Sequence, residues 1–146
     1  MKKNKKGFTL IELLVVIAII GLLSTLAVVA LQNARQKSRD AKRVGDIKQV
    51  QTALDLYFAD ANSYPDAADK VLGVDYKALC ASGFLADASC GAETAYMAQI
   101  PQNPSPNGTA YTYTGSGSDY TISFTLEGAT GGLPAGAHTA TPAGIQ

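Results

Sequence analysis

The stretch Gly7-Phe8-Thr9-Leu10-Ile11-Glu12, with the run Leu13 to Leu31 (LLVVIAIIGLLSTLAVVAL) behind it, decides the fold. The nineteen residues of that run carry no charge, and a helix needs about 20 such residues to cross the hydrocarbon core of a bilayer. Four lysines, Lys2, Lys3, Lys5 and Lys6, stand before it. By the positive-inside rule the N-terminus is predicted to stay cytoplasmic and the C-terminus to face outward. The competing reading is an ordinary signal peptide, whose apolar core spans only about 7–15 residues. After Leu31 comes Gln32-Asn33-Ala34-Arg35-Gln36-Lys37, which reads as continuing helix and offers no small-residue cleavage site. A retained single-pass anchor follows.

Charge is distributed to match. Residues 1–43 hold 9 of the 12 Lys+Arg and 2 of the 12 Asp+Glu, so the formal net charge of zero joins a basic, apolar N-terminus to an acidic remainder. The basic residues flank an apolar run instead of lining a folded face, so nucleic acid is not predicted as a partner. Glu12 makes the anchor more specific. A carboxylate at the mouth of a membrane helix is costly and usually has a partner, yet the apolar run holds no cation. Simple solvation at headgroup depth is the alternative.

Lys5-Lys6-Gly7-Phe8-Thr9-Leu10-Ile11-Glu12 resembles the processing motif of the type IV prepilin family: a basic leader ending in Gly, then Phe, TLIE and a long apolar helix. The resemblance implies cleavage between Gly7 and Phe8 by a prepilin peptidase, and N-methylation of Phe8. It also implies a charge pair between the Phe8 amine of one subunit and Glu12 of a neighbour. Such a pair would set the stagger, because an unpaired charge in lipid is expensive. The implied fold is α+β, the type IV pilin fold, with a long N-terminal helix packed on a small antiparallel sheet. The implied partners are copies of the chain, related minor pilins, the peptidase, an inner-membrane assembly platform and, before assembly, lipid. The place is the bacterial inner membrane, then a periplasmic or cell-surface filament. Many members carry a proline late in the helix where this chain has Val29; without it the helix is predicted to run straighter, or to flex at Gly21 and Ser24-Thr25.

Beyond Leu31, apolar residues recur at Val44, Ile47, Val50, Leu54, Tyr57, Phe58 and Ala61, spacings that mark one face of an amphipathic helix. Arg35, Lys37, Arg39, Lys42, Arg43 and Lys48, interleaved with Asp40 and Asp46, read as a solvated face laced by ion pairs. Asn62-Ser63-Tyr64-Pro65 ends the helix. The predicted organisation is a leader at 1–7 and a helix at 8–61, with 8–31 in the membrane and 32–61 amphipathic. A connection at 62–100 follows, with short helical stretches near Lys77–Phe84 and Thr94–Ala98. A hairpin at 101–127 and an irregular tail at 128–146 complete it.

The hairpin rests on alternation in Thr109–Thr114 and Tyr120–Leu126 around the turn Gly115–Asp119. Its apolar face, Tyr120, Ile122, Phe124 and Leu126, is the natural partner for Val50, Leu54 and Phe58. Cys80 and Cys90 sit in the connection. Metal sites want three or four ligands and the sole His is far away in sequence, at His138. An extracytoplasmic head therefore favours an intramolecular disulfide.

More weakly, Asp60–Pro65, Ile100–Pro104 and the Tyr-rich hairpin ending Leu126-Glu127 resemble the major pseudopilins of type II secretion. That resemblance implies calcium in a loop near the C-terminus, with Ser116, Ser118 and Asp119 as candidate oxygens. One carboxylate in a Gly/Ser turn is thin support for calcium and reads better as a plain hairpin turn, so no cofactor is assigned. The disulfide leans toward pilins with a stapled loop, leaving pilus, secretion pseudopilus and DNA-uptake pseudopilus open. No catalytic constellation is present and an enzyme is not predicted. The alternative function is a membrane-tethered binding module that does not polymerise and samples ligand through Tyr64, Tyr111 and Tyr113.

Overall fold

The long apolar run and the amphipathic segment behind it form one unbroken helix, α1 (Leu10–Ala61, 52 residues), in the computed structural model, which describes residues 7–146. The leader lysines lie outside the described residues. α1 passes Val29 without interruption. The hydroxyls of Ser24 and Thr25 donate to the carbonyls of Ile20 (2.7 Å) and Leu22 (2.8 Å), so both are satisfied within the helix. α1 ends where Asn62 enters the left-handed region (φ 54°) and its N–H donates to the Phe58 carbonyl at 2.8 Å. A short polar side chain tolerates that conformation at a helix C-terminus.

The chain divides into two compact units, residues 1–35 and 36–146. In the first, every described apolar side chain is exposed, Phe8 at 79% and Leu26 at 62%. The helix is long and apolar enough to cross a membrane.

The second unit holds two antiparallel sheets. The larger has the order β1-β5-β6-β7-β8, with β1 Tyr64–Val71, β5 Thr112–Gly117, β6 Asp119–Leu126, β7 Gly136–Thr141 and β8 Gly144–Ile145. The smaller has the order β3-β2-β4, with β2 Ala78–Cys80, β3 Gly83–Leu85 and β4 Ala95–Met97. On β6 the period-two face is buried as expected: Tyr120, Ile122, Phe124 and Leu126 pack with Ile47, Val50, Leu54 and Tyr57 of α1. Aromatic rings extend this core between the sheets, Phe84 lying edge-on to Tyr113 (4.8 Å) and flat on Tyr76 (4.7 Å).

Four expectations are corrected. The tail at 128–146 is not irregular. β7 pairs with β6 from Ile122↔Ala140 to Leu126↔Gly136, and His138 on it is buried. The stretches near Lys77–Phe84 and Thr94–Ala98 form strands, because their apolar residues close over the aromatic cluster instead of spiralling around a helix of their own. The β5–β6 turn is tighter than Gly115–Asp119, since Ser116 already pairs with Asp119. Finally, Tyr64, Tyr111 and Tyr113 are core residues, exposed by 7%, 0% and 0%, so they offer no binding surface.

Candidate assembly site

α1 is started by a reciprocal cap. The Thr9 N–H and hydroxyl both donate to Glu12 Oε2 (2.8 and 2.7 Å), while the Glu12 N–H donates to Thr9 Oγ1 at 3.3 Å. This is a capping box, in which the side chains three residues apart satisfy each other's orphan backbone donors. The TLIE tetrapeptide therefore has a local role that the motif reading above passed over, although its Thr-x-x-Glu spacing displays it. The cap occupies one carboxylate oxygen, Oε2. Glu12 Oε1 has no partner among the described residues. Around it Phe8, Ile11, Val15 and Val16 line a shallow apolar depression. A charged acceptor thus stands at the edge of an exposed apolar face, held at a fixed height by the cap.

A second cluster lies on the head. Arg43, read from the sequence as part of a solvated face, is fully buried, and so is Asp40. The Arg43 guanidinium donates to Asp40 Oδ1 (2.6 Å), Glu127 Oε1 (2.7 Å), Asn103 Oδ1 (2.7 Å) and the carbonyls of Pro104 (3.2 Å) and Asn107. Arg39 grips both oxygens of Glu127 at 2.8 and 2.6 Å. Asp40 in turn accepts the backbone N–H groups of Glu127 (3.0 Å) and Gly128 (2.8 Å). The hydrogen bond from Arg39, followed by those from Asn107 and Arg43, holds the Glu127 carboxyl well below the usual carboxylate range. Two cations and two anions close the network, so their desolvation is offset by mutual pairing. Its consequence is positional: one helical turn pins the loop 103–107 and the end of β6. The Asp40-x-x-Arg43 spacing was visible in the sequence, but its burial depends on residues 60 and more positions away.

Nearby, burial pushes the Asp46 carboxyl above its ordinary range, partly countered by a hydrogen bond from the Tyr111 hydroxyl at 3.1 Å. Cys80 and Cys90 are joined as a disulfide with Cα atoms 5.6 Å apart, tying β2 to the loop before β4. Ser116, Ser118 and Asp119 lie on the exposed β5–β6 turn, where Asp119 Oδ1 accepts the N–H of Tyr120 at 2.8 Å. Among the described residues no group of three or more His, Cys, Asp or Glu side chains gathers to hold a metal.

The helix and the head match known sequences separately. Residues 2–28 match the prokaryotic N-terminal methylation motif, and residues 30–140 match the type II secretion system protein G model. The chain belongs to the type II secretion system protein G family. It is similar to the type II secretion system core protein G of Vibrio cholerae, 35% identical over 142 residues, which cover 94% of this chain and 92% of that protein. The core protein G of Aeromonas hydrophila is 33% identical over 103 residues, 70% of this chain and 69% of its own length. That of Pectobacterium carotovorum is 44% identical over 62 residues, 42% of this chain and 40% of its own. No solved structure matches. Membership of the protein G family, one of structural pseudopilins, narrows the open choice of filament to the secretion pseudopilus.

Proposed function

We propose that the chain is a pseudopilus subunit that is cut between Gly7 and Phe8, methylated on Phe8, and polymerised through α1. The observation that carries this reading is the half-occupied carboxylate of Glu12 at the mouth of an exposed apolar helix. Cleavage before Phe8 creates an α-amino group, a cation near neutral pH. A cation is unwelcome at its own helix N-terminus, where the macrodipole is already positive. The free Glu12 oxygen of a neighbouring subunit answers that charge, and the pair forms only in one stagger of two helices. Apolar contact along 13–31 then holds the helices together without specifying register, and the charge pair supplies the register.

Residues 1–7 are the leader, 8–31 the membrane and polymerisation segment, and 32–61 the amphipathic half that carries the head. The partners in this reading are further copies, minor pseudopilins, the prepilin peptidase and the inner-membrane assembly platform. The N-terminus faces the cytoplasm and the head lies beyond the inner membrane. The role is structural, with no catalytic residue. Burial of Tyr64, Tyr111 and Tyr113 removes the surface on which a tethered, non-polymerising binding module would rest.

The test is the mass of the mature N-terminus in cells that express the peptidase, together with filament formation by a Glu12→Ala variant. A methylated Phe8 and a variant that inserts but does not assemble are expected. An intact Met1, or normal filaments from the variant, would overturn the reading.

A further inference from the structure

The head is acidic. From residue 62 onward it has seven carboxylates (Asp66, Asp69, Asp75, Asp87, Glu93, Asp119, Glu127) against two lysines, Lys70 and Lys77. One of those lysines faces the other cationic side chain that matters here. Lys77 and Lys42 of α1 both line a groove of about 650 Å³ whose remaining wall includes Gln99, Ile100, Gln102 and Asn103, with no carboxylate in the lining. Both lysines are exposed. Ion pairs among the described residues are confined to Arg39, Asp40, Arg43 and Glu127, so neither lysine makes one there, although the charge of Lys42 acts on the mostly buried Asp46 carboxyl.

The groove is preformed. The Ile100 N–H donates to the Lys77 carbonyl at 2.8 Å, and the Gln102 amide donates to the Gly73 carbonyl. Gly73 is required at that crossing: it has φ +77°, and a Cβ there would meet the Pro101 oxygen at 2.9 Å. At the other end Asn103 and Pro104 are held by the buried Arg43. The wall is therefore fixed at both ends before anything binds.

A complementary patch exists elsewhere on the same head. β1 is an edge strand of the larger sheet. It carries Asp66 and Asp69, and Asp119 stands at the turn beside them, where Tyr64 pairs with Gly117. All three are exposed, and none makes an ion pair among the described residues. Lys70 is the one cation on that strand and leaves the patch net negative.

We propose that the Lys42–Lys77 groove of one subunit receives the Asp66–Asp69–Asp119 edge of a second copy. The contact joins two different patches head to tail, and a heterologous contact of this kind propagates into an open helical filament where its rotation does not close a ring. Exposed ion pairs contribute little individually; here they act by selecting orientation and excluding like-charged approaches. The inference rests on the assembly reading above and adds a head-to-head contact to the helix contact.

The experiment uses the native side chains. Filaments assembled from a mixture of ordinary and heavy-nitrogen-labelled full-length chains are treated with a carbodiimide, which joins lysine amines to carboxylates at contact distance. Mixed-isotope peptides linking Lys42 or Lys77 to Asp66, Asp69 or Asp119 are expected. In Lys77→Glu filaments these links fall at least tenfold while the melting temperature of the unassembled chain is unchanged, and adding Asp66→Lys with Asp69→Lys restores a contact between the two patches. Filaments that form but link these residues only within one chain, or to another protein, overturn the groove proposal and leave the assembly reading standing. If the unaltered chain makes no filaments, the assembly reading fails and the groove proposal with it.

Discussion

Arg43 Nη1 and Asp40 Oδ1, one turn apart on the same helix, meet at 2.6 Å with side chains exposed by 0% and 1%. A helical i,i+3 pair of this kind normally lies on the surface and contributes a few tenths of a kcal/mol. Here the loop 103–107 and the end of β6 close over it, and the pair becomes the joint between helix and sheet. Removing one partner strands the other charge. Arg43→Met is therefore expected to lower stability by about 3–5 kcal/mol, measured by denaturant unfolding of the chain in detergent. Asp40→Asn combined with Arg43→Met should cost less than the two single changes added together, because the double variant leaves no orphan charge.

Acid should loosen the same joint. The folded-state pKa of Glu127 lies below its unfolded value of 4.5, with the Arg39 hydrogen bond as the main cause. A depressed carboxyl contributes stability that is fully present above the unfolded pKa and is lost as pH falls through 4.5 toward the folded value. Asp46 acts oppositely, since burial raises it and acidification relieves that penalty. Denaturation midpoints taken from pH 7 to pH 3 should fall for the unaltered chain and fall less for Glu127→Gln. Equal slopes for the two would remove Glu127 from the account.

Cap and charge can be separated at Glu12. Gln serves at the third position of a capping box as Glu does, so Glu12→Gln keeps the start of α1 and deletes the anion. Thr9→Ala keeps the anion and deletes the cap. If charge pairing sets the register, Glu12→Gln abolishes assembly, while Thr9→Ala reduces it only in part. Filament yield by electron microscopy, alongside membrane insertion by carbonate extraction, reads the difference. The reverse ranking would assign the role of TLIE to helix initiation.

Tyr120 is 2% exposed and its hydroxyl makes no hydrogen bond among the described residues. The Gln51 amide is the neighbouring polar group, but its N–H is directed to the Thr141 carbonyl at 2.9 Å. Burial pushes the phenol up to about 12. Because a buried unpaired hydroxyl costs about 1–3 kcal/mol, Tyr120→Phe should leave the melting temperature unchanged or raise it. A clear loss of stability would mean that the hydroxyl is satisfied after all.

The elements that were legible in advance share a physical basis. The apolar run, the 3–4 spacing of Ile47, Val50 and Leu54, and the alternation from Tyr120 to Leu126 are periodic, and periodicity reports the face a segment buries. His138 and the tail around it were misread because Gly136-Ala137-His138-Thr139-Ala140-Thr141 has little apolar alternation of its own. It becomes a strand because β6 presents an open row of backbone donors and acceptors, a tertiary cause. Arg43 was misread for a related reason. A charged residue looks solvated until the partners that make its burial tolerable have been brought to it from elsewhere in the chain.

The membrane-length helix, the Gly7-Phe8 and Glu12 motif and the sheet-forming hairpin are written locally, since each depends on neighbours within a few turns or one strand. Which charges are structural and which stay exposed is set by long-range packing. Arg43, Asp40 and Glu127 are consumed in a buried joint, whereas Lys42 and Lys77 stay exposed beside a preformed groove. The reason is that burial of a charge is favourable only where its partners converge from distant segments, and that convergence is a property of the fold.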